Sequence, residues 1–475
     1  MGYIVGQDRT QSTLFPQALE EYISAENPVR FIDAFVGELD LAALGFTRAV
    51  ARETGRPGYD PGDLLRLYIY GYLTRVRSSR LLERETQRNV EVMWLLGKLT
   101  PDFKTIADFR KDNLQALKAV CREFTLLCKK LELFGGELIG IDGSKFRAVN
   151  NRKRNFNPQK LERAIREIDS KIEGYLKELD QADKEEPQIK PLTAEGLKAK
   201  INQLQDRRQK YQGLAQELQQ RGETQISLTD PDSRSMPVGQ TTEVCYNVQT
   251  VVDAKHKLIV AHEVTNAVTD QGHLAEMALR AKATLGVEQL EVVADMGYFD
   301  GEEVKKCLEA GITPYIAKPT TSANKKRGLY TKEEFTYDQA KDVYRCPQGA
   351  ELTYRFDTVE LGRHIKYYAT SSCRGCPAKS QCTTNKGGRR ITRWIEEDLL
   401  EEMAQRVKDN PQMMKRRQQL CEHPFGTMKR AMNSGYFLMR RLQKVRAEMS
   451  LTVLAYNMKR VLNLLGVPQI VAALA

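Results

Sequence analysis

Apolar positions in PGDLLRLYIYGYLTRVRSSRLLERETQRN recur at helical spacing, through Leu64, Leu65, Leu67, Tyr68, Leu73, Leu81 and Leu82. A turn signal, Asp60-Pro61-Gly62-Asp63, precedes them, and the pattern predicts two or three short helices within a mostly helical segment of residues 1 to 130. From Gly135 the period changes. GGELIGIDGSKFRAV reads as a strand by Leu138, Ile139, Ile141 and Phe146, with Asp142 inside it. Steps of four and three follow through Leu161, Ile165, Ile168, Ile172, Tyr175 and Leu179. Leu197, Ile201, Leu204, Tyr211, Leu214 and Leu218 nearly repeat them beyond Pro187 and Pro191, predicting an antiparallel coiled-coil hairpin inserted into a sheet domain.

The sheet resumes in EVCYNVQTVVDAKHKLIVAHEVT, a hairpin turning at Asp253-Ala254-Lys255-His256. A helix over 272–285, an apolar strand over 290–294, a helix over 302–310 stopped by Gly311 and the strand ITPYIAKP complete an α/β pattern. Asp295 falls at the carboxyl end of a buried strand, where ligand sites in such sheets collect. Asp230, Asp232, Asp253, Asp270 and Asp300 read as turn or cap residues.

Composition narrows the class. The 475 residues carry 73 Lys+Arg against 62 Asp+Glu, a net charge of +11 and a pI near 9.0. Such a chain has room for several domains and a sizeable core, and its excess charge suits nucleic acid but also occurs in proteins that never touch it. MGYIVGQDRTQ lacks a basic stretch followed by an apolar run, and no stretch approaches the roughly 18 apolar residues of a membrane span. A soluble, cytoplasmic protein with no membrane partner is expected, its tail VLNLLGVPQIVAALA forming a packed terminal helix and a following segment.

Reduced thiols are then expected, and clustered ones read as metal ligands. Cys346, the pair in Cys373-Arg-Gly-Cys376, and Cys382 are candidate ligands of a structural Zn²⁺; the alternative is four reduced cysteines in a basic loop. Cys121, Cys128, Cys245, Cys307 and Cys421 stand singly and read as small buried residues.

Between Lys415 and Arg446 nine cationic residues surround a single acid, Glu422. A carboxylate there repels a polyanion unless a cation binds it first. Phosphodiester chemistry with two Mg²⁺ or Mn²⁺ ions needs hard, ionised oxygens on rigid elements, so Asp142, Asp295 and Glu422 form a candidate set. Lys429, seven residues on, would share a helix face with Glu422 and hold a phosphate, while Pro424 places Glu422 near a helix start. Arg75, Arg77, Arg80, Arg84 and Arg88 cluster around Ser78 and Ser79, which fits a helix-turn-helix-like DNA reader or a bundle with a solvated basic face. Arg152, Lys153 and Arg154 are placed to meet backbone phosphate. Trp394 is a candidate to stack on a flipped base, against the commoner fate of a core tryptophan.

Taken together, GYDPGDLLRLYIYGYL, GIDGSKFRA, TDPDSRSM before YNVQ, VVADMGYFD, the cysteine-bearing segment and CEHPFGTMKR resemble the DDE transposases of bacterial insertion sequences. The branch resembled carries a tyrosine-arginine-glutamate-lysine signature, and the likeness covers nearly the whole chain. It implies an α/β, ribonuclease-H-like catalytic core over 135–155 and 225–320, with a helical N-terminal domain over 1–130. Also implied are a coiled-coil hairpin over 156–224, a small cysteine-bearing insertion over 321–395 and a C-terminal helical part over 396–475.

The implied activity is binding of terminal inverted repeats in double-stranded DNA, cleavage at the element ends and transfer of the strands to target DNA. Two Mg²⁺ or Mn²⁺ ions would be held by Asp142, Asp295 and Glu422, a homodimer would act in the synaptic complex, and the bacterial protein would join the nucleoid when bound. The signature lysine is Lys429, with Arg430 beside it. Gln418 stands where the signature arginine is expected, Arg417 being one residue off, and Met414 stands where the tyrosine is expected. A DNA-binding protein derived from a transposase, and a metal-dependent nuclease without strand transfer, are the alternative readings.

Overall fold

The computed structural model describes residues 18–50, 57–151, 154–182, 191–319 and 323–474. The chain divides into two compact units, unit 1 of residues 1–135, 143–268 and 422–475 and unit 2 of residues 136–142 and 269–421. Helices and sheets both contribute, a run of helices preceding the first strand, so the fold is mixed α/β. Among the described residues no helix is long and apolar enough to cross a membrane.

Unit 1 opens with helices α1 (Pro28–Gly37), α2 (Pro61–Leu73), α3 (Ser79–Arg88), α4 (Val90–Leu95), α5 (Phe103–Asp112) and α6 (Leu114–Lys130). Asn27 and Asp60 cap α1 and α2, each accepting from a backbone N–H two residues on, with proline in the first helical turn. Helix α2 is buried almost all round, from Leu64 and Leu65 to Tyr70 and Tyr72, as the central rod of a bundle should be. At Gly71 an added Cβ would stand 2.4 Å from the Val76 carbonyl oxygen, so only glycine lets the chain fold back there.

Strand β1 (Leu138–Arg147) belongs to unit 2 through Asp142 and to unit 1 from Gly143. The short strands β2 (Asn155–Phe156) and β3 (Ile226–Ser227) pair antiparallel at the root of a helical hairpin, α7 (Pro158–Ala182) and α8 (Pro191–Arg221). Leu161, Ile168, Tyr211, Leu214 and Leu218 are buried between the two helices, and Arg208 pairs with Asp169 at 2.6 Å. Two helices packed on each other thus occupy the segment where a coiled-coil hairpin is expected, with Pro187 and the side chain of Leu179 outside the described residues. Strands β4 (Arg234–Val238) and β6 (Ile259–Thr265) pair antiparallel with β5 (Thr241–Asp253). Asp253 sets the β5–β6 turn, accepting from Lys255 N at 2.9 Å.

In unit 2, β1 pairs in parallel with β7 (Leu290–Ala294), and β7 with β8 (Ile312–Ile316). Helices α9 (Leu274–Leu285) and α10 (Gly301–Glu309) pack on each other and on this group. Next come α11 (Ala323–Lys326) and strands β9 (Thr336–Asp338), β10 (Val343–Arg345), β11 (Glu351–Glu360) and β12 (Arg363–Ala369). Helix α12 (Lys379–Cys382) and strand β13 (Arg390–Trp394) complete the segment. Its strands form a five-stranded antiparallel sheet in the order β13-β12-β11-β10-β9. The sequence pattern does not announce this sheet, because β11 is exposed along nearly its whole length and offers no alternation. Trp394 is a core residue, packed where a Cβ on Gly301 would lie 2.9 Å from its ring.

Helices α13 (Glu397–Asp409) and α14 (Gln412–Gly426) follow, and α14 carries the chain back into unit 1 at Glu422. A π-helical turn (Thr427–Ala431), α15 (Leu442–Leu465) and α16 (Val467–Leu474) complete unit 1. Buried from Ala447 through Met458, α15 packs on α2, α6 and β6. Its buried polar side chains, Glu448, Ser450, Thr452 and Asn457, are hydrogen-bonded. Asn457 donates to and accepts from Ile259 of β6, while the fully buried Glu448 accepts from Leu438 N and Met439 N and pairs with Arg77 at 3.7 Å.

Arg77 is itself 5 % exposed and donates to the carbonyls of Asn433 and Tyr436. The expectation that it meets DNA phosphate is corrected here, since its guanidinium is used up inside unit 1. Removing a buried charge's partner leaves that charge uncompensated. Arg77→Met should therefore lower stability by about 3 kcal/mol or more, seen as a lower urea midpoint with an unchanged slope; an unchanged midpoint would refute the structural role.

Candidate active site

The parallel register of β1 and β7 builds the centre of the site. Leu138, Ile139, Gly140 and Ile141 pair with Glu291, Val292, Val293 and Ala294, and the next residues on the two strands are Asp142 and Asp295. Neighbouring strands lie about 4.8 Å apart, so Asp142, within β1, and Asp295, just past the end of β7, start from adjacent strands. Asp295 is exposed and accepts from Met296 N at 2.7 Å, which starts a tight turn, Met296–Tyr298.

Tyr298 from that turn is fully buried. Burial pushes its hydroxyl well above the ordinary tyrosine range, and Asp270, Asp142, Cys421 and Asp295, in that order, push it further. These influences share one sign. The residues behind them therefore gather about the same buried hydroxyl.

Gly140 supplies a close approach. A Cβ there would stand 2.9 Å from Cys421 Sγ and 3.2 Å from Leu420 Cβ, so α14 lies on β1 without room for a side chain. Glu422, the next residue of α14, is exposed. It lies inside the helix and not at its start, because Pro424 is accommodated within Gln412–Gly426, which corrects the expected helix boundary. His423 anchors the following turn in unit 1. Tyr456 gives its hydrogen to Lys257 O at 2.7 Å, so His423 Nδ1, 3.0 Å from the same hydroxyl, is the donor. Burial, with Arg460 and Lys257 adding, lowers the pKa of His423.

Lys429 sits in the π turn, and the wider π spacing breaks the simple two-turn alignment with Glu422. Its ammonium donates to Ser144 Oγ at 2.5 Å and Lys145 O at 2.9 Å, and it lies 4.7 Å from the Phe146 ring centroid. Arg430, Arg154 and Arg80 are exposed and Arg417 is half-exposed, with Arg80 lying 5.1 Å over the Phe103 ring. Arg152 and Lys153 lie outside the described residues.

Cys346, Cys373, Cys376 and Cys382 line one cavity of about 30 Å³ beside Phe335 and Arg389. Burial raises the Cys382 thiol, with Arg389 opposing and the other three cysteines adding to the rise. Gly388, at φ +100°, passes so close to Cys373 that a Cβ would lie 2.6 Å from it. Among the described residues no three or more His, Cys, Asp or Glu side chains stand arranged to hold a metal ion.

The sequence pattern singles out none of Tyr298, His423 and Ser144, and Asp270 reads from it as a turn or cap residue. Asp142-Gly-Ser144 and Asp295-Met-Gly-Tyr298 lie within the quoted motifs, so proximity to an acid was the available signal for two of them.

Residues 345–462 match the family described as "Transposase DDE domain", and residues 17–112 match "Transposase domain (DUF772)". The first match spans Glu422 and the four clustered cysteines. No curated protein matches the chain. Among solved structures, the chain is similar to a piggyBac transposase synaptic complex with hairpin DNA, at 9 % identity over 92 % of this chain and 75 % of that one, with a TM-score of 0.34.

If the Lys429 ammonium is spent on β1, its loss should be felt without DNA. Lys429→Met keeps the aliphatic stem but strands two acceptors. It should cost about 1–3 kcal/mol in a DNA-free melt, whereas an unchanged melt would reserve the residue for DNA.

Proposed function

We propose, for a chain that belongs to the DDE transposases of insertion sequences, that Asp142, Asp295 and Glu422 are the acids of its DNA-cleaving and strand-transferring centre. The observation that carries this is the β1–β7 register, whose last pair, Ile141 and Ala294, is followed on the two strands by Asp142 and Asp295. The antiparallel β4–β5–β6 group and the parallel β1–β7–β8 group support a ribonuclease-H-like core. Residues 1–130, 156–224 and 321–395 are then additions to that core, the first a DNA-binding domain.

The donor set suits hard divalent cations, since Asp142 lies within β1, Asp295 directly follows β7, and Asp295 opens to solvent. Bound Mg²⁺ or Mn²⁺ would neutralise the scissile phosphate and sharpen the attacking oxygen. Asp142, Asp295 and Glu422 would hold it, with two ions as the working number. Lys429 fixes Ser144 and Lys145 just beyond Asp142, while Arg154, Arg417, Arg430 and Arg80 offer cations to backbone phosphate. Water attacks phosphorus and the 3′-oxygen leaves with a proton. That 3′-hydroxyl then attacks a second phosphodiester in target DNA, forming a new bond to its phosphorus while the bond to the target's own 3′-oxygen breaks and that oxygen leaves with the attacking hydroxyl's proton. Two element ends are brought together by a homodimer in the bacterial cytoplasm.

Comparison of the intact protein with Glu422→Gln on DNA bearing the terminal repeat, at matched binding, tests this reading. The mutant should bind yet cut and join on the order of 10³-fold more slowly, the loss expected for several kcal/mol of charge stabilisation. Equal rates would remove Glu422 from the centre. Binding by both without cleavage by either would leave a DNA-binding protein in place of the enzyme.

The four thiols around one cavity support a structural Zn²⁺ held by Cys346, Cys373, Cys376 and Cys382. Zinc should co-purify and be released to a chromophoric chelator as thiols are titrated with a mercurial, and Cys376→Ser should arrive without it. Metal-free wild-type protein with an unaltered melt would refute the site.

A further inference from the structure

At the root of the α7–α8 hairpin, within unit 1, lies a cavity of about 970 Å³. Its walls are β2 with the first turn of α7, residues 223–225 that lead into β3, Ser235 of β4 and the start of β5. Amides and hydroxyls dominate them, among them Asn157, Gln225, Ser235 and Thr241. Asn155 in this wall is 7 % exposed and gives its amide hydrogens to Gln225 Oε1 at 3.2 Å and to Ser235 Oγ. Its own Oδ1 is buried, as is Oε2 of Glu223 on the same wall, and among the described residues neither accepts a hydrogen bond. The second carboxylate oxygen of Glu223 is held by Arg234 at 3.1 Å. A buried acceptor without a donor is costly, so two of them beside one cavity point to a donor that the chain does not itself supply.

Charge selects among donors. Lys160 stands in the wall, its ammonium 2.6 Å from Asn155 O and 4.9 Å from the Phe156 ring centroid. That charge opposes a cationic ligand and suits a phosphate. A molecule that carries neutral N–H donors and a negative charge together is a nucleotide. We propose that this cavity binds one unpaired nucleotide of the DNA, an adenine or cytosine whose exocyclic amino group donates to Asn155 and Glu223, with its phosphate beside Lys160. The inference rests on the transposase reading and deepens it, adding a base-reading site apart from the three acids. Asparagine is a natural partner of adenine, and glutamate of the cytosine amino group. Thymine would turn carbonyls toward the same acceptors, and a site built to receive an N–H rejects a group that lacks it.

The experiment measures binding of the full chain by fluorescence anisotropy to a labelled duplex with one unpaired nucleotide, against excess unlabelled duplex that is fully paired. The unpaired base is adenine, cytosine, thymine, or the purine that lacks adenine's amino group. Wild type should bind the adenine and cytosine duplexes about fivefold or more tightly than the other two, the gain of a buried acceptor that finds its donor. Glu223→Leu should level the series. Glu217→Gln, an acid of α8 paired with Arg221 that does not line the cavity, should keep it. Lys160→Met should weaken all four alike, and an unchanged set would overturn the phosphate contact. Equal affinity of wild type for the four duplexes overturns the proposal while the transposase reading stands, and that comparison needs no variant. A preference that survives Glu223→Leu, in a protein that melts like wild type, places the base reader elsewhere and overturns it too. If wild type binds none of the duplexes, DNA binding itself falls, and this inference falls with it.

Discussion

The parallel pairing of β1 with β7 is the constraint on which the proposed centre depends. A side chain on a loop can wander by several ångströms, but one that follows directly on a hydrogen-bonded strand inherits the register of its neighbours. Because Ile141 faces Ala294, Asp142 and Asp295 have no freedom to separate along the strand axis. The supporting details follow from keeping that edge open and dense. Gly140 admits α14 against the strand, and Tyr298 fills the space behind the acids. A single-residue slip of either strand would turn one aspartate to the opposite face.

Much of this was legible because local chemistry and final position agree. The aspartate that follows the apolar run 290–294 could be read as a candidate site residue from its place at the carboxyl end of a buried strand. The β5–β6 turn and the α7–α8 hairpin were likewise written in residues near one another in sequence. Agreement failed where partners are distant. Arg77 looked like one cation in a basic surface cluster, yet its partners Asn433, Tyr436 and Glu448 come from the far end of the chain. The sheet of β9 to β13 was invisible for another reason: it buries a small core around Tyr344, Leu352, Tyr368 and Ile391 and leaves β11 in solvent, so apolar periodicity had little to report.

Buried polar groups do the long-range joining within unit 1. Asp230 accepts from Tyr246 and from Arg441 N, and Asp232 accepts from Leu442 N, so two acids upstream of β5 satisfy the start of α15. These acids serve the exposed first N–H groups of a helix as an N-cap does, but from more than two hundred residues away. Glu448 does the reverse, reaching from α15 to the chain that leads into it. Such bonds are geometrically demanding, and each fixes one approach angle of α15 to the strands it covers.

The α7–α8 hairpin leaves and re-enters its unit across β2 and β3, where Asn155 faces Ser227 and Phe156 faces Ile226. Whatever length of chain is threaded between those two strands, the entrance and exit remain side by side. The ladder therefore acts as a socket: helices of other lengths, or a simple turn, can occupy it while β1 keeps its alignment. Variation in reach and variation in chemistry are thereby uncoupled, so related chains are free to lengthen, shorten or discard the hairpin without re-engineering the strand that carries the first acid.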